Sequence, residues 1–440
     1  MSAGSTVQDL YLGIDLGTSG CRTIVINAQA EVVANLAYDW PAEIQTAHTW
    51  EQGVNSLLAK LADKVALHTI KGICVDGTSG TVMLTEMGRP QEPVLMYNDA
   101  RAGLRAQELA GIAPAGHPVL SPTSGLAKVL WLIKNNRIAT LDGIFHQADW
   151  LTNILREYDY EESEKYHRHV HYTDYNNALK TGFDPVEKKW PDWIKQLHIP
   201  AEWLPFVVAP GTDIGTISRD YVEQYGFSPE TRILAGTTDS TAAVMATGAS
   251  QPGEAVTSLG STMVLKVLCD KPINDANAGI YSQPYGDLWL VGGASNSGGR
   301  VLREFFTDEE MRTMMSELDF SKPTGLDYYP LPAKGERFPF NDPDKQPVLT
   351  PRPDNQLHFF QAMLEGMAKI EKTGYEKLAE AGAPYPVSVC TVGGGAINQA
   401  WTEMRGKLLN VPMLQPLHTE AAYGVALLVR NKLQQTGLTT

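Results

Sequence analysis

The stretch Leu10-Tyr11-Leu12-Gly13-Ile14-Asp15-Leu16-Gly17-Thr18-Ser19-Gly20-Cys21-Arg22-Thr23-Ile24-Val25-Ile26-Asn27 decides the fold class. Leu10 to Ile14 is a short apolar run, glycines and small hydroxyls follow, and Cys21 to Asn27 is rich in β-branched residues. The pattern is strand, turn, strand. Glu31 to Tyr38 adds a third strand. A dinucleotide-binding unit runs from its first strand directly into a helix, so an antiparallel start excludes it. Within the turn, Gly17 and Gly20 allow close backbone approach, and the hydroxyls and N–H groups of Thr18 and Ser19 can donate to a phosphate. Asp15 cannot bind phosphate directly, but it can hold Mg²⁺, often through water. The same residues also read as a plain tight hairpin.

Working outward, Ala255 to Val267 repeats the pattern: an apolar strand, Leu259-Gly260-Ser261-Thr262, then a second β-rich run. This turn keeps the glycine and hydroxyls and lacks the aspartate. It suits a second phosphate contact without a metal, or another simple hairpin. Two similar halves facing a cleft would explain the duplication.

Between the two turns, a helix is expected over Asn55 to His68, with Leu57, Leu58, Leu61 and Val65 on one face. Strands at Lys71 to Val75 and Thr231 to Ala235 end in Asp76-Gly77-Thr78-Ser79-Gly80 and Gly236-Thr237-Thr238-Asp239-Ser240. Sheets of α/β proteins place ligands at such strand ends. Asp239 stands between a strand and a small-residue helix. It reads as a base that takes a proton from a substrate hydroxyl, or as the cap of that helix. Ser240 is a hydroxyl contact or the cap itself. Further on, Gly292 to Gly299 reads as a small-residue loop. Strand Val387 to Val392 ends in Gly393-Gly394-Gly395, and helices follow at Trp401 to Leu409 and Glu420 to Val429.

The 440 residues suit two domains, and a net charge of −14 disfavours a general nucleic-acid surface. A polyanionic ligand such as ATP must therefore be received locally. Cys21, Cys74, Cys269 and Cys390 are scattered in apolar contexts and read as buried thiols of a reducing compartment. No apolar run reaches membrane-spanning length. The expectation is a cytoplasmic protein, or a plastid one if a transit segment once preceded Met1. The chain carries no Walker A loop, dinucleotide fingerprint, nucleophile elbow or HExxH pair. His167, His169 and His171 read as a solvated face rather than a zinc site.

Gly13-Ile14-Asp15-Leu16-Gly17-Thr18-Ser19, Gly236 to Ser240, Gly260-Ser261-Thr262 and Gly393-Gly394-Gly395-Ala396 together resemble the FGGY carbohydrate kinases, in order and over nearly the whole chain. Trp50-Glu51-Gln52, Tyr97 to Arg101, Asp149-Trp150-Leu151, Thr173-Asp174 with Asn177, Glu365-Gly366 and Gly424 support the likeness. The resemblance implies an α/β fold of two lobes with ribonuclease-H-like, actin/hexokinase-type cores around a central cleft. It implies residues 8–246 with 419–440 as the sugar-binding lobe and 247–418 as the nucleotide-binding lobe. It also implies ATP with Mg²⁺, Asp239 as general base and Asp15 as the metal-side carboxylate. Thr18 would lie near the transferring phosphate, Gly260 and Ser261 on the nucleotide phosphates, and Gly394 and Gly395 near the adenosine. Asn398 and Trp401 follow that loop and would flank the base. Many xylulokinases have Gln-Met-His-Gly where this chain has Asp76 to Gly80. With the compact length, this resembles the cyanobacterial and plant-type members, whose sugar resembles D-ribulose. Ser79 and Ser240 then join Asp15 and Asp239 as sugar contacts. The expected partners are a small sugar and ATP, with no nucleic acid and no membrane. D-xylulose is the alternative sugar, and an actin-like ATPase or an inactive sensor would share the hairpin logic.

Overall fold

The computed structural model describes residues 8–41, 45–86, 88–136, 141–157, 164 and 170–437. The chain forms two compact units, Met1–Ala246 with Glu420–Thr440, and Thr247–Thr419.

In the first unit the opening stretch is β1 (Leu10–Leu16) and β2 (Gly20–Asn27), followed by β3 (Val32–Asp39) and β4 (Ile70–Gly77). A three-stranded sheet of β5 (Val82–Glu86), β6 (Arg89–Leu95) and β7 (Leu141–His146) comes next, then the short pair β8 (Tyr172–Asp174) and β9 (Phe206–Val208). β10 (Asp213–Thr216) and β11 (Arg232–Thr238) return to the main sheet, whose order is β10-β11-β4-β1-β2-β3. β1, β2 and β3 are antiparallel neighbours, while β4 and β11 run parallel to β1.

β1 is apolar throughout because both of its faces are covered. Leu10, Leu12, Ile14 and Leu16 join a core that includes Trp50, Leu57, Leu58 and Leu61 of the helix Ala47–Ala62. Tyr11 joins the opposite core with Ala422, Val425 and Ala426 of the helix Ala421–Gln435. That last helix sits very close to the sheet. A Cβ on Gly13 would lie 1.9 Å from the Ala422 carbonyl oxygen, and one on Gly424 would lie 1.9 Å from that of Ala242.

The second unit repeats this plan. β12 (Glu254–Leu259), β13 (Met263–Cys269), β14 (Tyr281–Tyr285), β15 (Leu288–Ser295), β16 (Ser388–Val392) and β17 (Met413–Leu414) form a sheet of order β14-β15-β13-β12-β16-β17. β12, β13 and β15 are antiparallel neighbours, and β16 and β17 run parallel to β12. The row β15-β13-β12-β16-β17 therefore has the same order and directions as β3-β2-β1-β4-β11. The duplicated hairpin is the visible trace of two ribonuclease-H-like cores.

Four sequence expectations shift. The first helix starts at Ala47, well before Asn55, because Thr46 and Thr49 form a reciprocal capping box. β4 continues through Asp76 and Gly77, so Asp76 belongs to a strand. The first half of the small-residue segment Gly292 to Gly299 is also strand, since β15 ends at Ser295. Its glycines serve packing: a Cβ on Gly293 would lie 2.4 Å from the Phe338 ring, and one on Gly292 would lie 2.0 Å from the Leu265 carbonyl oxygen. His167 and His169 lie outside the described residues. His171 is buried, with Nε2 3.2 Å from the Ile144 carbonyl oxygen and its ring stacked on Phe145, so it is not on a solvated face.

Candidate active site

Parallel pairing brings three strand ends together in the first unit. Asp15 of β1 pairs in register with Asp76 of β4, and Asp76 with Thr237 of β11. Asp239, two residues beyond Thr237, opens the helix Asp239–Thr247, and its Oδ1 accepts from the Ser240 N–H at 2.6 Å. Ser240 is exposed and Asp239 half-buried.

Burial pushes the carboxyls of both Asp15 and Asp76 upward. For Asp76 the push is large, and the negative charges of Asp15 and Asp239 add to it. For Asp15 it is opposed by a hydrogen bond from Asp76 and by the Arg22 guanidinium. Two adjacent carboxyls resist ionising together. Of the two, fully buried Asp76 is pushed further toward its protonated form, and neither of its carboxyl oxygens has another hydrogen-bond partner in the protein. Lys180 also belongs to this neighbourhood: burial lowers its pKa and the Asp239 charge raises it. It ends the short helix Tyr175–Leu179, which Asp174 caps by accepting from the N–H groups of Asn176 (2.8 Å) and Asn177 (3.3 Å).

Beyond β4, Thr78 donates to Gln147 Oε1 through its N–H (2.9 Å) and its hydroxyl (2.6 Å). The Ser79 hydroxyl and Gln147 Nε2 are buried and have no hydrogen-bond partner in the protein. Lys128 holds the next turn, with Nζ donating to the carbonyls of Gly80 (2.9 Å), Met96 (2.7 Å) and Tyr97 (3.0 Å). The tip of the β1–β2 hairpin is tied from behind. Trp40 Nε1 donates to the Gly17 carbonyl at 3.0 Å and Gln45 Nε2 donates to that of Thr18. Thr18 and Ser19 themselves are exposed.

In the second unit, the β12–β13 tip rests on the following segment. Gly299 N–H donates to the Gly260 carbonyl (2.8 Å) and Arg300 N–H to that of Ser261 (3.1 Å). A cavity of about 510 Å³ opens beside it, lined by Gly260, Ser261, Gly394, Gly395, Trp401 and apolar side chains from the helices Asp308–Met315 and Gln356–Glu380. That volume is of the size that holds small-molecule ligands. Gly393 has φ +86°, and a Cβ there would lie 2.7 Å from the Leu259 carbonyl oxygen, whereas a Cβ on Gly394 would meet nothing within 4 Å. Trp401 lines the cavity, but its Nε1 donates to the Leu364 carbonyl at 3.0 Å. Asn398 and Thr262 are not in the lining. Asn398 Oδ1 caps the helix Gln399–Leu409 by accepting from the Trp401 N–H at 3.0 Å.

Among the described residues, no group of three or more His, Cys, Asp or Glu is placed to hold a metal ion. Asp15 Oδ1, a buried oxygen with no geometric donor, fits a single contact to a cation delivered with phosphates better than a resident cage.

Residues 10–246 match the N-terminal domain of the FGGY family of carbohydrate kinases, and residues 255–429 match its C-terminal domain. The chain belongs to the FGGY family. Its FGGY relatives include a xylulose kinase of Staphylococcus epidermidis, 23% identical over 455 residues, covering 96% of this chain and 88% of that protein. A gluconokinase of Bacillus subtilis is 24% identical over 450 residues, covering 93% of this chain and 85% of that protein. The solved "xyloylose kinase" of Brucella ovis superposes with TM-score 0.83 at 22% identity, covering 97% of this chain and 91% of that one. As an FGGY member this chain is an enzyme, an ATP-dependent carbohydrate kinase.

Asp76 and Lys180 escaped the sequence reading as site residues. Asp76 had a signal, since it ends a strand as Asp15 does. Lys180 had none, because its segment shows no regular period.

Proposed function

We propose that the chain transfers the γ-phosphoryl group of ATP to a primary hydroxyl of a ketopentose, D-ribulose in preference to D-xylulose. The carrying observation is the set of carboxyls at the ends of β1, β4 and β11. Asp239 accepts the proton of the attacking hydroxyl, with its carboxylate oriented by the Ser240 N–H. Asp15, in register with Asp76 at the strand ends, accepts from a sugar hydroxyl, and Ser79 with its unpartnered Oγ takes another. Thr18 and Ser19 face the transferred phosphate. Unit 2 holds the nucleotide, with Gly260, Ser261 and Thr262 at the phosphates and the cavity at the base. Asp15 would hold Mg²⁺, through water, beside the phosphates. When bound it neutralises charge developing on the phosphoryl oxygens.

Support for D-ribulose comes from Asp76 to Gly80, which differs from the Gln-Met-His-Gly of many xylulokinases. The names of the relatives favour D-xylulose as the second reading. A carboxyl-rich site disfavours an aldonate such as gluconate. ADP release measured with D-ribulose, D-xylulose, gluconate and glycerol tests this. Stimulation by D-xylulose without D-ribulose would overturn the sugar assignment. Equal release with and without any sugar would overturn the acceptor assignment altogether.

A further inference from the structure

We infer that the cavity of the second unit holds a purine by shape and apolar contact, so that inosine and guanosine triphosphates serve as phosphoryl donors beside ATP. This rests on reading that cavity as the nucleotide site.

Adenine and hypoxanthine differ in hydrogen-bond sense. One presents a 6-amino donor and an N1 acceptor, the other a 6-oxo acceptor and an N1 donor. Strong discrimination needs a buried partner of fixed sense, because the wrong base must leave that group unpaired. The wall here is Leu302, Met311, Met315, Leu364, Met367 and Trp401. The only buried hydrogen-bonding side chain among them is Trp401, and its N–H is committed to the Leu364 carbonyl at 3.0 Å. The charged lining residues are solvated. Arg303 and Asp308 bond each other at 2.9 Å with side chains 56% and 65% exposed, and Arg312 is exposed. Solvated groups exchange partners with water at little cost. Nothing lies within 4 Å of the Cβ position at Gly394, which opens the short 3₁₀ helix Gly394–Ile397, so this side of the cavity sets no steric limit on either purine edge. Methionines adapt to small changes of outline. The chemistry is unchanged by the base. The sugar oxygen forms a bond to Pγ, the bond from Pγ to the leaving nucleoside diphosphate breaks, and the hydroxyl proton passes to Asp239.

The test has two arms. Ketose-dependent turnover is measured with ATP, ITP and GTP, and binding of ADP, IDP and GDP is measured by calorimetry on the wild type and on Met315→Glu. The inference expects kcat/KM for ITP and GTP within about tenfold of that for ATP. It expects the three diphosphates to bind within about tenfold of one another, and Met315→Glu to weaken all three by a similar factor. A preference for ATP or ADP of about 10³ or more overturns it and leaves the nucleotide site standing. Unchanged binding in Met315→Glu also overturns it, by removing the base from this cavity. Failure of every nucleotide to bind overturns both the site and the inference. If the variant does not fold, the wild-type binding series decides alone.

Discussion

Asp239 begins its helix with one carboxylate oxygen already held by the Ser240 N–H. A base held this way leaves little to a rearrangement, so its removal should be felt in the chemical step. Asp239→Asn is expected to lower kcat by about 10²–10⁴-fold while ADP affinity stays within a factor of about two. Calorimetry beside steady-state kinetics checks both, and near-normal turnover would remove Asp239 from the role. Asp174 gives a pH signature. Burial raises its carboxyl from its ordinary value of 3.8 to about 6. The folded state therefore binds a proton that the unfolded chain releases, and stability falls as pH rises between those values. Asn caps a helix as well as Asp does. Relative to wild type, Asp174→Asn should gain about 2–3 kcal/mol of stability between pH 4 and pH 7. Urea denaturation across that range measures it, and a constant difference would refute the buried-proton account.

At the scale of elements, two buried cations tie pieces of chain together. Lys128 is wholly buried and satisfies three carbonyls on two separate loops, one of them directly after Ser79. Lys128→Met leaves those carbonyls without their donor. The expected cost is about 1–3 kcal/mol, with a rise in sugar KM larger than any change in ATP KM. Arg405 does the same work in the second unit. It pairs through two 2.6 Å bonds with Glu371, and Thr257 on β12 donates to Glu371 at 2.6 Å. Both charges are fully buried. Glu371→Ala strands the guanidinium and should cost about 3–5 kcal/mol, whereas Glu371→Leu with Arg405→Met should recover most of that. Equal losses in the single and double variants, measured by thermal unfolding, would count against the pairing.

For the whole molecule, the two units have separate cores, and no helix among the described residues is long and apolar enough to cross a membrane. The net charge of −14 leaves phosphate reception to local backbone and hydroxyl groups. The proposed division of labour predicts separate footprints in hydrogen exchange. ADP at about 100 times its Kd should add about 2.7 kcal/mol of protection, concentrated in residues 254–269 and 388–409. The sugar alone should protect residues 10–20, 70–80 and 232–247. Protection by ADP confined to the first unit would reverse the assignment.

Much of the fold was legible because its signals are local. The apolar run of β1, the β-branched run of β2, the Gly-and-hydroxyl turns and their partial repetition are properties of short windows. Their order along the chain identified the family. The amino-acid sequence by itself therefore determined the paired hairpins, the strand ends at Asp15 and Asp239, and the glycine loop at Gly393 to Gly395. Only the tertiary structure decided which groups share a space. Asp76 meets Asp15 because β4 runs parallel to β1 in a register that no short window contains. Lys180 comes within reach of Asp239 because an irregular segment is folded against β11. The cavity of the second unit exists because the helices Asp308–Met315, Gln356–Glu380 and Gln399–Leu409 converge on the β12–β13 tip. Register and convergence are settled by burial summed over the whole chain, and no single segment carries that information.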